Sequence, residues 1–310
     1  MKQLAFFGEC MLELSGMPLG TLQQGYGGDT FNTAVYLSRC AHGSARVHYA
    51  TAVGDDRLSA ALVQRWAGEG LALDLVRTVP GRLPGLYQIE VDAQGERRFH
   101  FWRQHSAARA YFDVPLTPLE DSPRRWDAFY FSGISLAILD DPVRKRLLAW
   151  VQHARALGTR IVFDTNYRPR LWGSVAQARS AFADALALAD MALITADDHQ
   201  ALHGLASLDE AVTHAQQLSV GELVIKQGAA PTLVRTPQTG GWMEIAPRAV
   251  AQVVDTTAAG DAFAAAYLLW RLQGHDAQAA ARAGNALAAR VIQHPGAVIP
   301  VEAMTGWEDA

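Results

Sequence analysis

The sequence predicts an α/β fold in which helices cover both faces of a mostly parallel sheet. Two observations support this prediction. Short apolar runs that resemble buried strands alternate with longer segments whose apolar residues recur at helical spacing, and such alternation is typical of parallel strands joined by helical crossovers. The chain also has 310 residues, 50% of them hydrophobic and 19% charged, which is enough to build one large domain.

The elements follow in regular order along the chain. Predicted strands are short runs rich in apolar residues, at positions 3–7, 47–53, 129–132, 161–164, 192–195 and 223–226. Predicted helices have apolar residues at helical spacing, at positions 31–38, 62–67, 142–154, 174–189, 259–273 and 276–293. Asp29 or Thr30 is the expected cap of the first helix. Asp141 is the expected cap of the third, with Pro142 as its first residue and Gly158 beyond its end.

One region departs from this alternation. Residues 86–91 and 97–103 alternate between apolar and polar positions around the tetrapeptide Asp-Ala-Gln-Gly, which predicts a β-hairpin. Residues 9–14 also have the character of a strand. We therefore expect a small β-sheet, built from two segments near 9–30 and 84–111, to accompany one domain that spans the whole chain.

Charge and cysteine content narrow the class of protein. The formal net charge is −4, with no long run of one sign, so neither nucleic acid nor a membrane surface is an expected partner. Cys10 and Cys40 form neither a disulfide framework nor a CxxC site, and we expect them to be reduced thiols in the core. No apolar run approaches the ~20 residues that cross a bilayer, and the N-terminal apolar span is too short for a signal peptide. We therefore expect a cytoplasmic protein.

A stretch near the C-terminus combines two acids with a turn of small residues. Residues 255–267 read DTTAAGDAFAAAY, in which Asp255 and Asp261 flank the turn and an apolar helix follows. The first N–H groups of a helix have no partner within the helix and carry partial positive charge, so a small-residue turn lets an anion approach them. Asp261 then lies beside that anion, where it can accept a proton from a substrate hydroxyl. The pattern favours phosphoryl transfer, with plain helix capping as the alternative.

The same stretch resembles the C-terminal signature DTTGAGD of the ribokinase-like sugar kinases. It differs at Ala258, where the branch of 2-keto-3-deoxygluconate kinases also has Ala. Residues 25–32, GYGGDTFN, are similar to the GG-x-x-x-N sugar-binding pattern of the family. The resemblance covers essentially the whole chain and implies a ribokinase-like three-layer domain with a mostly parallel central sheet and a small β-sheet lid. The sequence has no GxGxxG after a strand, which argues against a dinucleotide enzyme.

The resemblance implies a role for each matching residue. Asp261 would be the catalytic base, and the backbone N–H groups of Ala259, Gly260 and Asp261 would form an anion hole with Ala258 alongside. The residues implied to bind the nucleotide are Asn166, Arg168, Lys226, Gln227, Gly228, Asp255, Ala258, Gly260 and Asn285. The sugar side, together with Asp261, comprises Gly28, Asp29, Thr30, Asn32, Tyr87, Trp102, Arg103 and Arg168.

ATP and Mg²⁺ are the implied cofactors, since Mg²⁺ neutralises charge between the terminal phosphates. Many members of the family organise this metal through an N-x-x-E motif. The matching residues 195–198 read TADD here, so the protein ligands of the metal stay unknown, and Asp198 is only an outer-sphere candidate.

Arg103 and Arg168 on the sugar side indicate the kind of acceptor. A neutral sugar would leave buried guanidinium groups unpaired, whereas the carboxylate of a sugar acid would pair with them. The alternative is that both arginines are solvated or paired with Asp and Glu side chains. Four further stretches also resemble the 2-keto-3-deoxygluconate kinases: residues 8–14, 82–87, 132–139 and 166–172.

The reaction implied by this resemblance is transfer of the ATP γ-phosphoryl group to the C6 hydroxyl of 2-keto-3-deoxy-D-gluconate. The product would be 2-keto-3-deoxy-6-phosphogluconate. A fructokinase or another neutral-sugar kinase is the first alternative, and a non-catalytic sugar-acid sensor is the second. The resemblance also suggests a homo-oligomer formed through the lid, which the sequence does not decide.

Overall fold

The computed structural model describes residues 1–17, 19–91 and 97–307. The predicted hairpin turn at 92–96 lies outside the described residues, while both arms of the hairpin lie within them. Cys10 and Cys40 are buried and form no disulfide with each other, as predicted. None of the described helices is both long enough and apolar enough to cross a lipid bilayer.

Strands and helices alternate along the described chain as predicted. The strands are β1 Lys2–Phe7, β2 Met11–Gly16, β3 Leu22–Gly27, β4 Ala45–Val53, β5 Val76–Thr78, β6 Leu86–Val91, β7 Arg97–Trp102, β8 Ala128–Ser132, β9 Arg160–Asp164, β10 Met191–Thr195, β11 Glu222–Lys226, β12 Thr232–Arg235 and β13 Met243–Ile245. The α-helices are α1 Asp29–Cys40, α2 Arg57–Gly68, α3 Gly133–Ala137, α4 Asp141–Ala156, α5 Val175–Leu188, α6 Ala196–His203, α7 Leu208–Gln216, α8 Ala259–Leu272 and α9 Ala277–Val291. Every predicted element has a counterpart, whereas the sequence pattern does not indicate β3, β5, β12, β13, α3, α6 or α7.

The main sheet is mostly parallel. Within the described residues nine strands form it, in the order β13-β12-β11-β10-β9-β8-β1-β4-β5. All neighbours from β11 to β5 pair in parallel, and β12 and β13 extend one edge in antiparallel fashion. The chain adds β4 on one side of β1 and β8 on the other, so the strand order reverses beside β1.

Both faces of the main sheet are covered, which explains why its strands are continuously apolar. In β1, Leu4 and Phe6 belong to one core cluster, and Ala5 and Phe7 belong to the other. The first cluster also contains side chains of α1, α8 and α9, and the second contains side chains of α4 and α5. Since successive side chains of a strand point to opposite faces, this division produces the predicted three-layer arrangement.

Two helix caps differ from prediction. Gly28 precedes α1, while Asp29 and Thr30 are already helical. Their side chains form tertiary hydrogen bonds instead, to Asn166 and Tyr49 respectively. The cap of α4 is one residue earlier than expected, because the side chain of Asp140 accepts the hydrogen bond from the helix backbone.

A second, smaller sheet has the strand order β3-β2-β6-β7. The pairs β2–β3 and β6–β7 are antiparallel, and the central pair β2–β6 is parallel. A parallel pair cannot be closed by a tight turn, so this sheet combines two segments that are distant in the chain. The segments lie within those from which the sequence predicts a lid.

Candidate active site

A cleft of about 1490 Å³ opens where the carboxyl ends of the central strands face the small sheet. Asp164, Thr195 and Lys226, the last residues of β9, β10 and β11, line it on one side, and Tyr87 and Phe101 line it from the small sheet. In open α/β sheets, ligands bind beyond the carboxyl ends of strands near the point where the strand order reverses. The cleft has that position.

The N-terminus of α8 opens into this cleft. Ala258 precedes the helix in the left-handed conformation, with φ 61° and ψ 12°. No described residue accepts a hydrogen bond from the N–H of Gly260 or Asp261, whereas the N–H of Ala259 donates to the carbonyl of Thr256 at 3.2 Å. Ala258, Gly260 and Asp261 line the cleft, but Ala259 does not. Two of the three predicted N–H donors are thus available to an anion.

The backbone of Ala258 predicts opposite effects for two substitutions. A non-glycine residue in the left-handed region is strained by about 1–2 kcal/mol, so Ala258→Gly should leave the free energy of unfolding unchanged or raise it by up to about 1 kcal/mol, after the extra freedom of the unfolded chain is counted. Ala258→Val should lower it by roughly 1–3 kcal/mol, because a β-branched residue tolerates this conformation poorly. Urea unfolding measures both changes.

A matched control for this prediction is Ala61→Gly, at an exposed position inside α2. Ordinary helical geometry there means that glycine should cost about 1 kcal/mol. If Ala258→Gly is as costly as Ala61→Gly, the left-handed turn before α8 does not persist in solution.

Asp261 lies in the first turn of α8 with its carboxylate enclosed by other polar groups. Its Oδ2 accepts a hydrogen bond from Nδ2 of Asn32 at 2.8 Å. Burial raises the pKa of Asp261 to about 8, and the negative charges of Asp29 and Asp164 contribute to this increase. A carboxylate with a pKa near the working pH is suited to accept a proton from an alcohol.

The raised pKa of Asp261 predicts how stability depends on pH. In the unfolded chain this group loses its proton near the ordinary aspartate pKa of 3.8, whereas the folded chain holds the proton until about pH 8. Between those values unfolding releases a proton, so the contribution of Asp261 lowers the free energy of unfolding as pH rises and levels off above pH 8. Asp261→Asn removes this contribution, and the variant should gain stability over the parent as pH rises.

Urea unfolding of both proteins at about pH 6 and pH 8.5 measures this difference. Asp29 remains in both proteins, so its own titration largely cancels in the comparison. A stability difference between parent and variant that is the same at both pH values would show that Asp261 is ionised throughout.

Lys226 and Asp164 form a buried pair next to the mouth of α8. Nζ of Lys226 donates to Oδ2 of Asp164 at 2.9 Å, and the hydroxyl of Tyr130 donates to the same oxygen at 3.1 Å. A Cβ placed on Gly260 would lie 3.4 Å from this Nζ, so the ammonium group faces the helix N-terminus closely. Two sources of positive charge, the ammonium and the free N–H groups, therefore meet at one point of the cleft.

The loop after β9 joins both halves of the cleft. Nδ2 of Asn166 donates to Oδ2 of Asp29 at 2.9 Å, and Asn166 itself has a positive φ of 29°. Nη1 of Arg168 lies 3.0 Å from both carboxylate oxygens of Asp198. Both oxygens of Asp198 already accept hydrogen bonds from this guanidinium. A water bound to a metal would therefore have to share these oxygens with Arg168.

The sugar side of the predicted site meets the small sheet. A Cβ on Gly28 would lie 2.0 Å from the carbonyl oxygen of Glu9, so no side chain fits at that position. The hydroxyl of Tyr87 donates to Glu13, and the guanidinium of Arg103 pairs with the buried carboxylate of Glu9. Nε of Arg103 is buried and has no hydrogen-bond partner among the described residues.

The family described as pfkB family carbohydrate kinase matches residues 1–304. The chain belongs to this family. It is 45% identical over 307 residues to 2-dehydro-3-deoxygluconokinase of Dickeya dadantii (strain 3937), covering 98% of each sequence. It is 40% identical over 306 residues to the protein of the same name from Escherichia coli (strain K12), covering 98% of this chain and 99% of the other.

A solved structure of aminoimidazole riboside kinase from Salmonella enterica, complexed with aminoimidazole riboside and an ATP analogue, superposes with a TM-score of 0.83 at 23% identity and covers 100% of both chains. This agreement confirms the predicted ribokinase-like fold of the pfkB-family chain. The smaller of the two sheets in this structure forms the wall of the cleft opposite the carboxyl ends of the main-sheet strands.

Two residues predicted for the sugar side of this carbohydrate kinase lie outside the cleft. Thr30 is fully buried and its hydroxyl is 3.3 Å from that of Tyr49. Trp102 is 58% exposed and does not line the cleft, whereas Phe101 and Arg103 do. Alternation of side chains along the strand places Trp102 on the opposite side from Phe101, while His100, two residues before Trp102, also lines the cleft.

Four residues predicted for the nucleotide side also do not line the cleft: Gln227, Gly228, Asp255 and Asn285. Nε2 of Gln227 donates to the carbonyl of Pro231, and the carboxylate of Asp255 accepts from the backbone N–H of Thr257 and Gly296. The amide of Asn285 bridges Thr232 and the carbonyl of Ala246. These polar groups serve to position strands and turns around the cleft.

Several residues that line the cleft do not appear among the predicted site residues. Asp164 ends an apolar strand, and a carboxylate at that point of a parallel sheet is a signal that could have identified it. Phe99 and Phe101 lie on the same side of β7 as Arg103, which strand alternation could also have shown. Arg109 lies in a short 3-10 helix and has no described ion-pair partner, and no feature of the sequence distinguishes it from other arginines.

Proposed function

We propose that this pfkB-family carbohydrate kinase transfers the γ-phosphoryl group of ATP to the C6 hydroxyl of 2-keto-3-deoxy-D-gluconate, giving 2-keto-3-deoxy-6-phosphogluconate. The observation that carries the proposal is the mouth of α8, where Asp261 lies beside two free N–H groups and Lys226. Relatives that are 45% and 40% identical over nearly the whole chain are named for this sugar acid, and their names support the choice of acceptor.

The proposed chemistry has a donor side and an acceptor side. The acceptor oxygen attacks the γ-phosphorus, the bond between that phosphorus and the β–γ bridging oxygen breaks, and ADP leaves. The carboxylate of Asp261 takes the hydroxyl proton, which typically accelerates a reaction by about 10²–10⁴-fold. The N–H groups of Gly260 and Asp261 and the ammonium of Lys226 stabilise negative charge on the transferred group.

Mg²⁺ fits the donor side because it needs few protein ligands, and two carboxylates in the cleft already have ion-pair partners. Asp198 pairs with Arg168, and Asp164 pairs with Lys226. A metal that keeps most of its waters and binds mainly through nucleotide phosphates needs few protein ligands. When bound, Mg²⁺ would neutralise charge on the terminal phosphates, and Asp197 or Asp198 could accept hydrogen bonds from its waters.

The cations of the cleft support an acidic acceptor. Arg103, Arg109 and Arg168 all line the cleft. Arg103 is only 6% exposed, and its Nε is buried without a described partner. Arg103 and Arg168 already pair with Glu9 and Asp198. Support for an acidic acceptor therefore comes from Arg109, which has no ion pair within the described residues, and from the exposed half of the Arg168 side chain. A carboxylate at these groups would form charge-assisted hydrogen bonds worth about 1.5–3 kcal/mol each.

The small sheet is proposed to act as a lid over the acceptor. It contributes Tyr87, Phe99 and Phe101 to the wall of the cleft, and apolar side chains there would exclude water that could otherwise accept the phosphoryl group. We also propose that the outer part of the lid pairs with a second copy of this chain to form a homo-oligomer. Trp102 is 58% exposed there and Leu22 is 37% exposed. The proposed use of ATP and two buried cysteines that form no disulfide with each other support a cytoplasmic location.

The deciding experiment is ATP consumption by the whole chain with 2-keto-3-deoxygluconate, 2-keto-3-deoxygalactonate, fructose, ribose and adenosine in turn, with Asp261→Asn as the background. We expect rapid turnover with a 2-keto-3-deoxy sugar acid and a product phosphorylated at C6. Comparable turnover with fructose would favour the neutral-sugar kinase. Binding of the sugar acid without ATP consumption would favour the sensor.

A further inference from the structure

Three histidines converge outside the cleft, where α6 meets α7. His199 and His203 are four residues apart on α6 and so share one face of the helix, while His214 reaches them from α7. Their ring centroids are separated by 4.4 Å, 4.5 Å and 5.0 Å. One ring nitrogen from each lies within 4.8 Å of the other two, and Nε2 of His199 is 2.9 Å from Nδ1 of His214.

The surroundings of this histidine cluster favour the neutral form of His199 and His203. His199 is buried at 3% exposure, while His203 and His214 are half-buried and open to solvent. Burial and the neighbouring rings lower the pKa of His199 to about 3 and that of His203 to about 4. Within the described part of the chain, no carboxylate pairs with any of the three. The neutral imidazole is the form in which histidine binds a metal ion.

We propose that His199, His203 and His214 form a binding site for one divalent transition-metal ion of the zinc class. Imidazole suits zinc and its neighbours, with zinc–nitrogen distances of about 2.0–2.1 Å, which separates the ligand nitrogens of a tetrahedral ion by about 3.3 Å. The 2.9 Å pair therefore needs to open slightly and the wider pairs need to close slightly, by small rotations of the rings. Solvent near His203 and His214 would supply a fourth ligand.

The occupied site would connect α6 to α7. The first turn of α6 contains Asp197 and Asp198, which line the cleft, so fastening α6 to α7 would stiffen one wall of the cleft from behind. The nearest cation is Arg179 on α5, whose Nε donates to the carbonyl of Leu202 at 2.8 Å. Its charge makes the site weaker than one with a carboxylate neighbour.

The test uses the full chain, freed of metal with a chelator and then titrated with Zn²⁺ by calorimetry and with Co²⁺ by visible absorption. We expect one ion per chain, the intense absorption of tetrahedral Co²⁺, and a higher melting temperature with Zn²⁺. Mg²⁺, which prefers oxygen ligands, should reproduce none of these effects.

His203→Gln and His214→Gln are the informative variants, since both side chains are half-buried and their loss should leave the fold intact. Each should weaken Zn²⁺ binding by more than about 100-fold, beyond the loss caused by removing an outer-shell partner. His153→Gln, at an exposed position on α4, is the matched control and should bind as the parent does. Absence of Zn²⁺ binding in the parent, or equal binding in all three variants, would overturn the site.

Discussion

Asp261→Asn should lower kcat by about 10²–10⁴-fold while the dissociation constant of the sugar acid changes little. Asparagine keeps the size of the side chain and an oxygen that can accept the hydrogen bond from Asn32, but it cannot take a proton from the acceptor hydroxyl. The measurement pairs steady-state kinetics with calorimetric titration of the sugar acid.

Asp184→Asn, which alters an exposed acid on α5, serves as the control for the change of charge. It should leave both kcat and acceptor binding near those of the parent. Near-normal turnover by Asp261→Asn would remove Asp261 from its role as the base, while equal loss of binding and turnover would point to a structural role.

Arg168→Ala should raise the KM for the sugar acid by roughly 10–100-fold and change the KM for ATP much less. The expected loss corresponds to one charge-assisted hydrogen bond to a carboxylate, worth about 1.5–3 kcal/mol. The guanidinium of Arg168 is half exposed and lies in the cleft, so it can reach a ligand without leaving Asp198. Initial rates with each substrate varied in turn separate the two constants.

The control for this variant is Arg155→Ala, which breaks an arginine–aspartate pair with Asp190 at 2.9 Å outside the cleft. A partly exposed ion pair of this kind contributes little to stability, and both KM values should stay the same. If Arg168→Ala raises the KM values for the sugar acid and ATP equally, its arginine holds the loop after β9 in place and does not select the acceptor.

Local sequence pattern was sufficient to predict most of the strands and helices and the mouth of α8, whereas seven shorter elements such as β5, β13 and α3 gave no such signal. Residues 4–7 of β1 are apolar at every position because both faces of the strand are covered there, and this pattern can be recognised without knowing what covers them. The turn before α8 is equally local, since Ala258, Gly260 and Asp261 are neighbours in the chain and their geometry follows from where the helix begins.

Partners of polar side chains were decided only by the tertiary structure. Arg103 pairs with Glu9 across 94 residues, and Lys226 pairs with Asp164 across 62 residues. Asn285, which the sequence analysis assigns to the nucleotide side, forms hydrogen bonds to Thr232 and to the carbonyl of Ala246 after β13. Which of these groups meet depends on strand order, and in this sheet β1 lies between β8 and β4. The spacing of apolar residues in a sequence indicates only whether a position is buried. Which side chain lies opposite that position is decided when strands that are distant in the chain become neighbours in the sheet.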